Sequence, residues 1–303
     1  MIVRPRPGSF QLFFILRGSI LSHIASRQLA IIAFSCAVLW LSHSGIFPLA
    51  EIPLAPFSFL GLALSVFLGF RNNACYDRWW EARKQWGDLI VQSRSFARES
   101  RALLSTSSLQ EGMVSNVIGF AHALAARLRD LDEKAAATPW LVAGKAGLLH
   151  EKRNVPDALL REINNDLVIC LRRGDLSDIL YEGLNARLLA LSSIQAACER
   201  IRNTPTPFAY SLLLHRTAWL FCLLLPFGLV GEIGLMTPVV VAITAYTFFG
   251  LDALGDELEE PFGLTDNDLP LNALVRTIEI DLLESLGVTD LPPPLLPINY
   301  RLQ

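Results

Sequence analysis

Long stretches without charge restrict this chain more than any other feature. Residues 28–50 contain no Asp, Glu, Lys or Arg, and neither do residues 52–70, 217–231 or 233–251. The hydrocarbon core of a bilayer is about 30 Å thick and a helix rises about 1.5 Å per residue, so roughly 20 apolar residues cross it. The third run is short, but residues 212–214, all leucine, extend it. Buried helices of a soluble core are the alternative. Four such runs argue against it, as does the content of 18% charged residues, where soluble domains carry about 25%. The predicted spans are 28–47, 54–72, 213–232 and 236–254.

The flanks orient these spans. Arg17, Arg27 and Arg71 bracket the first pair, with Glu51 as the only charge between them. His215 and Arg216 precede the second pair, and Glu232 alone sits in its turn. Positive charge stays on the cytoplasmic side, so both hairpin tips face outward and both termini are cytoplasmic. Pro56 and Pro238 suit the first turns of their helices, and Pro226 is placed to kink the third. The opening stretch, "MIVRPRPGSFQLFFILRGS", has a basic start, an apolar run broken by Arg17 and no convincing cleavage site. It reads as a retained cytoplasmic arm.

Residues 73–210 and 255–288 read as a cytoplasmic helical region. "DRWWEARKQWGDLIVQSRSFARES" sets Trp79, Trp86, Ile90 and Phe96 near a helical spacing. "VSNVIGFAHALAARLRD", "PDALLREINNDLVICLRR" and "SDILYEGLNARLLALSSIQAACERI" read as further amphipathic helices. No alternating strand pattern and no internal repeat occurs. The second span should leave the bilayer near Phe70 and Arg71 and continue as one helix into this region. Trp79 and Trp80 suit either an interfacial belt or core packing. Residues 289–303, ending "PPPLLPINYRLQ", are too proline-rich for a helix and form an extended tail.

Several function classes are excluded or unsupported. The five cysteines form no C-x-x-C pair, and the five histidines have no metal-ligand spacing. There is no P-loop, G-x-G-x-x-G or G-x-S-x-G. A net charge of −3 does not suit a nucleic-acid binder. An intramembrane enzyme needs ionisable groups inside the spans, and the four runs hold no Asp, Glu, Lys or Arg.

Leu62, Val66 and Phe70 recur every four residues and form an apolar stripe about 12 Å long on a helix. Ser65 and Gly69 are small neighbours that let other helices approach. Such a stripe faces lipid, packs against protein, or lines a path. One helix cannot enclose a path, so the last reading requires several chains around an axis. An apolar ring there gates by dewetting.

"APFSFLGLALSVFLGFRNNACYDRWWEARKQWG", "NTPTPFAYSLLLHRTAWLFCLLLPFGLVG" and "ELEEPFGLTDNDLPLNALVRTIEIDLLESLG" resemble the bestrophins, especially their bacterial branch. The resemblance runs from the N-terminal arm to about residue 288 and is weakest over about 105–165. It implies an all-α membrane protein: four transmembrane helices, a large helical cytoplasmic layer, and a homopentamer around a central pore, with 1–303 as one channel unit. It implies a membrane neck at Leu62, Val66 and Phe70, and a cytoplasmic aperture at Ile179, with Leu180 as the one-residue alternative. Val66 is smaller than the aromatic residue common in animal members, so its ring should be wider or more easily wetted.

Animal bestrophins are calcium-activated chloride channels whose calcium clasp is an unbroken acidic run after Pro-Phe-Gly. In "DELEEPFGLTDNDLP", Leu264 and Thr265 interrupt that run. Glu257, Glu260, Asp266 and Asp268 remain as oxygen donors, or serve as a solvated helix end and as cap or turn residues. No cofactor is expected, with calcium as the one metal the resemblance raises. The resemblance implies that bacterial members favour monovalent cations such as sodium. Asp175 and Asp178 flank Ile179 and would give a carboxylate ring that attracts cations, or would cap the helix beginning near Ser177. Arg71 would oppose cations if it faced the pore. The expected function is passive passage of monovalent ions, sodium above all, across a bacterial inner membrane. The expected partners are the ions, membrane lipid and further copies of the chain, with no nucleic acid and no catalysis. An anion channel passing chloride, and a non-conducting membrane-anchored scaffold, are the alternatives.

Overall fold

Helices supply the regular structure of this chain. The structure, a computed structural model, describes all residues except 6–7, 13, 16–17, 45–52, 105–106, 143–145 and 150. Arg17, Glu51 and His150 therefore lie outside the described residues. Among the described residues the β pairing amounts to isolated bridges, Ile2 with Arg301 and Ile298 with Arg301. Ten α-helices are described: α1 (Ser9–Leu12), α2 (Leu21–Ser44), α3 (Ala55–Leu103), α4 (Ser107–Leu128), α5 (Glu133–Ala137), α6 (Val155–Arg173), α7 (Asp178–Asn203), α8 (Phe208–Ile233), α9 (Thr237–Glu259) and α10 (Leu271–Ser285).

These helices make two compact units. The apolar unit holds Arg4–Trp79 and Pro205–Pro261; the polar unit holds Met1–Val3, Trp80–Thr204 and Phe262–Gln303. Helix α3 runs unbroken for 49 residues and contributes to both. By length and composition, Leu21–Ser44, Ala55–Leu103 and Phe208–Glu259 are able to cross a membrane. The last segment contains two helices. Gly234, at φ +50°, opens the 3-10 turn Gly234–Met236 that separates α8 from α9, and the two helices pack on each other. Helix α8 carries on through Pro226, and Pro56 and Pro238 occupy the first turns of α3 and α9.

In the apolar unit α2, α8 and α9 pack together, and α3 joins them through Phe57, Leu64 and Leu68. Phe221 sits among them. Its ring meets Phe57 at 6.4 Å and Phe248 at 5.2 Å, both edge-on, an arrangement that aromatic quadrupoles favour.

The polar unit is built around α4, which packs against α5, α6 and α10. The sequence predicts an amphipathic helix here. The structure instead buries Val114, Ile118, Ala126, Ala123, Phe120 and Val117, which at about 100° per residue are spread right around the axis. A helix apolar on every side becomes the centre of a unit rather than its surface. The amphipathic reading holds for α6 and α7: α6 buries Leu159, Ile163 and Leu167, and α7 buries Leu184, Leu188 and Leu191. On the second half of α3, Ala82, Trp86, Leu89 and Phe96 form the buried stripe. Leu89 takes the place expected of Ile90, which is half-buried; Trp79 is also half-buried, and Trp80 is exposed. The end of the chain pairs with its beginning: Val3 N–H donates to the Tyr300 carbonyl at 2.8 Å, and Leu302 N–H to the Met1 carbonyl at 2.9 Å.

The central position of α4 makes a testable contrast. Phe120→Ala should destabilise the protein by about 3–5 kcal/mol in denaturant titrations, the usual cost of emptying a core aromatic site. Leu131→Ala, on an exposed side chain, should stay within about 0.5 kcal/mol.

Candidate pore-lining residues and a buried ion network

A helix turns about 100° per residue, so positions two apart lie on nearly opposite faces. Leu64 and Leu68 of α3 are buried in the apolar unit's core. Leu62, Val66 and Phe70 therefore point away from it, and are 65%, 46% and 62% exposed. The described residues of its own chain leave about half or more of this stripe uncovered, so it is open to lipid or to further copies. Between them Ser65 donates its hydroxyl proton to the Leu62 carbonyl at 2.8 Å, which hides its polarity within the helix.

Ile179 is the second residue of α7 and is 81% exposed, against 37% for Leu180. Capping of this helix falls to Ser177, whose Oγ accepts the Leu180 N–H at 3.4 Å. Asp175 and Asp178, both just before Ile179 in the chain, remain as exposed carboxylates outside any ion pair among the described residues. Asp178 lies in the first turn of α7, where the helix dipole favours a negative charge. Arg172 and Arg173, in the last turn of α6, are also exposed close by in the chain.

Arg71 follows the stripe by one residue and turns the other way. Only 1% exposed, it does not share the outward face of Leu62, Val66 and Phe70. Its guanidinium donates to the Asp252 carboxylate at 3.0 Å, to the Asp252 carbonyl at 3.1 Å and to Asp256, and stands 3.5 Å from Glu259. Asp252 is equally buried and also meets His215 at 2.7 Å and Arg27 at 3.6 Å. Arg78 Nε donates to the Glu259 carbonyl at 2.7 Å, and Thr206 donates its backbone N–H and its hydroxyl to the Glu259 carboxylate. The network thus joins α2, α3, α8 and α9. At Gly255 an added Cβ would come within 2.8 Å of Asn72 Oδ1 and 3.1 Å of Arg71 Nη1, so only hydrogen fits beside the guanidinium. Sequence reading missed Asp252 because it stands one residue past a charge-free run. The signal was the spacing of Asp252, Asp256 and Glu259, which puts three carboxylates on one helix face.

The acidic residues considered for calcium fall in both units. Glu257 lies 3.2 Å from His23, and Glu260 ends α9 as its C-terminal cap, both in the apolar unit. In the polar unit Asp266 lies 3.5 Å from Arg301, and Asp268 accepts the Thr265 N–H. Among the described residues, no three His, Cys, Asp or Glu side chains gather where one ion could reach them.

A family model described as "Bacterial/Fungal Bestrophin protein" matches residues 1–284. The chain belongs to the bestrophin family. It is 43% identical over 297 residues to the voltage-dependent anion channel-forming protein mll4386 of Mesorhizobium japonicum, covering 98% of this chain and 95% of that protein. It is 43% identical over 304 residues to the voltage-dependent anion channel-forming protein YneE of Escherichia coli K12, covering 99% of each. Among solved structures, it is similar to a bacterial bestrophin homolog from Klebsiella pneumoniae. That match has a TM-score of 0.81 at 38% identity and covers 87% of this chain and 98% of that one. Both relatives are named for forming channels rather than for catalysis, in keeping with a membrane protein that is not an enzyme.

The network around Arg71 predicts coupled losses. Asp252→Asn should cost about 3–5 kcal/mol, because it strips a buried guanidinium of its counter-charge. Gly255→Ala should also lower the thermal midpoint of the purified protein. The double variant should lose less than the sum of the two, since both act on the same side chain.

Proposed function

We propose that the chain assembles as a homopentamer around a central pore and passes monovalent ions passively across the bacterial inner membrane, with sodium favoured over chloride. The observation that carries this reading is the outward face of α3. In a chain of this family it offers three apolar side chains that its own core does not use. Four spans, at 28–47, 54–72, 213–232 and 236–254, then cross the bilayer with both termini in the cytoplasm.

In such an assembly five copies of Leu62, Val66 and Phe70 form stacked apolar rings. These rings bind no ion; they pass ions while wetted and stop them when water withdraws. Ile179 makes a second apolar ring at the cytoplasmic aperture. Asp175 and Asp178 surround it with carboxylates that concentrate cations. Val66→Ala combined with Phe70→Ala should raise single-channel conductance in planar bilayers. Correctly assembled protein that stays silent, or a native mass of one or two chains, would favour a membrane-anchored scaffold instead.

Anion conduction is the second reading. The curated relatives carry anion channel in their names, and Arg172 and Arg173 stand near the same aperture in the chain. Reversal potentials in an asymmetric sodium chloride gradient separate the two. The proposal expects a potential of the sign set by sodium, shifted toward chloride by Asp175→Asn with Asp178→Asn. A wild-type potential of chloride sign overturns the cation assignment.

No cofactor enters the proposal. Two of the acidic candidates already face the chain's own side chains, Asp266 the Arg301 guanidinium and Glu257 the His23 ring. Currents should therefore be the same in calcium and in excess EGTA. A calcium-dependent rise that Asp266→Asn abolishes would overturn this part.

A further inference from the structure

The polar unit carries a cavity of about 320 Å³ between α4, α10 and the tail. Arg129, one residue past the end of α4, and Arg276 of α10 both line it, together with the carboxylate of Glu279. Glu279 is committed: it lies 3.4 Å from Arg276 and 3.3 Å from His122, and is itself buried. Arg129 meets only neutral oxygens: the Phe262 carbonyl at 3.1 Å, the Leu269 carbonyl at 3.2 Å and Asn272 Oδ1 at 2.8 Å. The lining thus holds two guanidinium charges and one carboxylate, which pairs with Arg276 and not with Arg129, and is one positive charge in excess with His122 neutral. Burial pushes the Arg129 guanidinium below its usual range, and the Asp268 carboxylate, which stands outside the lining, pulls the other way.

Apart from the Asn272 amide, the rest of the lining is apolar. Val275, Ala125 and Leu295 of the tail belong to it, and the His122 ring at one edge stacks on Trp140 at 5.3 Å. Small-molecule sites start near 300 Å³ and combine apolar walls with a few convergent polar groups. A bare inorganic anion would satisfy the charge but leave these walls wet. A neutral molecule would fill the space but leave the charge.

We propose that this cavity binds a small organic monocarboxylate, with its carboxylate on Arg129 and Arg276 and its apolar body against Val275 and Leu295. This site is separate in kind from ion conduction and does not depend on it. A carboxylate matches the fork of a guanidinium, as phosphate does, so the apolar body has to supply the discrimination against phosphate. The occupant touches α4, α10 and the tail at once.

Isothermal titration of the full-length protein in detergent tests this, with phenylacetate as the probe, phenylacetamide as its neutral isostere and inorganic phosphate as the bare anion. Phenylacetate should saturate one site per chain, with the amide and phosphate each at least about tenfold weaker. Arg276→Gln should weaken phenylacetate at least about tenfold, while Arg276→Lys should keep part of the affinity. Leu295→Asp, on a half-exposed tail residue, should weaken it to a similar degree even if the arginine variant fails to fold. Absence of saturation at about 10 mM phenylacetate would overturn the proposal. Equal or tighter binding of amide or phosphate would do the same, as would unchanged affinity in a folded Arg276→Gln or in Leu295→Asp.

Discussion

A guanidinium sealed inside an apolar helix bundle has to be matched by carboxylates, and Arg71 is that guanidinium. An uncompensated buried charge costs several kcal/mol, so its surroundings are constrained far more tightly than those of a buried leucine. Asp252 answers it directly, Asp256 and Glu259 lie one and two turns further along α9, and His215 and Arg27 share Asp252 from α8 and α2. Each contact fixes the rotation of one helix about its axis. Turning α3 by one residue would carry Arg71 out of reach and move Leu64 and Leu68 off the core. The side chains that α3 presents outward are therefore set by the one it keeps inside.

That coupling explains why α3 is apolar on opposite faces in its first half. Leu64 and Leu68 fill the unit's own core. Leu62, Val66 and Phe70, about 200° away around the helix, are free of that duty. In water an exposed stripe of this size would be a liability; in a bilayer, or against equivalent stripes of other copies, it is not. Beyond Arg71 the same helix changes character. Its buried stripe narrows to Ala82, Trp86, Leu89 and Phe96, and charged residues such as Arg94 and Glu99 bond to the polar unit's own helices.

The legible parts of this molecule were those written in local pattern. Charge-free runs marked α2, α8, α9 and the first half of α3 because the absence of charge over many residues is an unambiguous signal. The start of α7 near Ser177 was legible too, although Ser177 itself caps the helix rather than Asp175 or Asp178. Local pattern fails where the decisive neighbour is distant in the chain. The all-round burial of α4 depends on α5, α6 and α10 enclosing it, although its lack of a charged face was visible. Ile90 and Leu89 differ by one position, a distinction periodicity alone does not resolve. Asp252 was masked by the edge of a hydrophobic window. The cavity of Arg129, Arg276 and Glu279 joins residues about 150 positions apart and leaves no mark in either stretch.

The inward turn of Arg71 also bears on where an assembled channel would tell ions apart. Each guanidinium is held by carboxylates within its own chain, so its field is largely cancelled before it reaches the outward face of α3. The stripe itself offers only aliphatic and aromatic surface, and Ser65 spends its hydroxyl on the helix backbone. A neck of this composition controls passage by width and wetting and is nearly blind to the sign of charge. Discrimination must then arise where charge stands close to the path, and among the described residues Asp175 and Asp178 are exposed and unpaired next to a candidate constriction, with Arg172 and Arg173 exposed close by in the chain. Gate and filter would be separate in such a channel: α3 sets whether ions pass, and the start of α7 sets which.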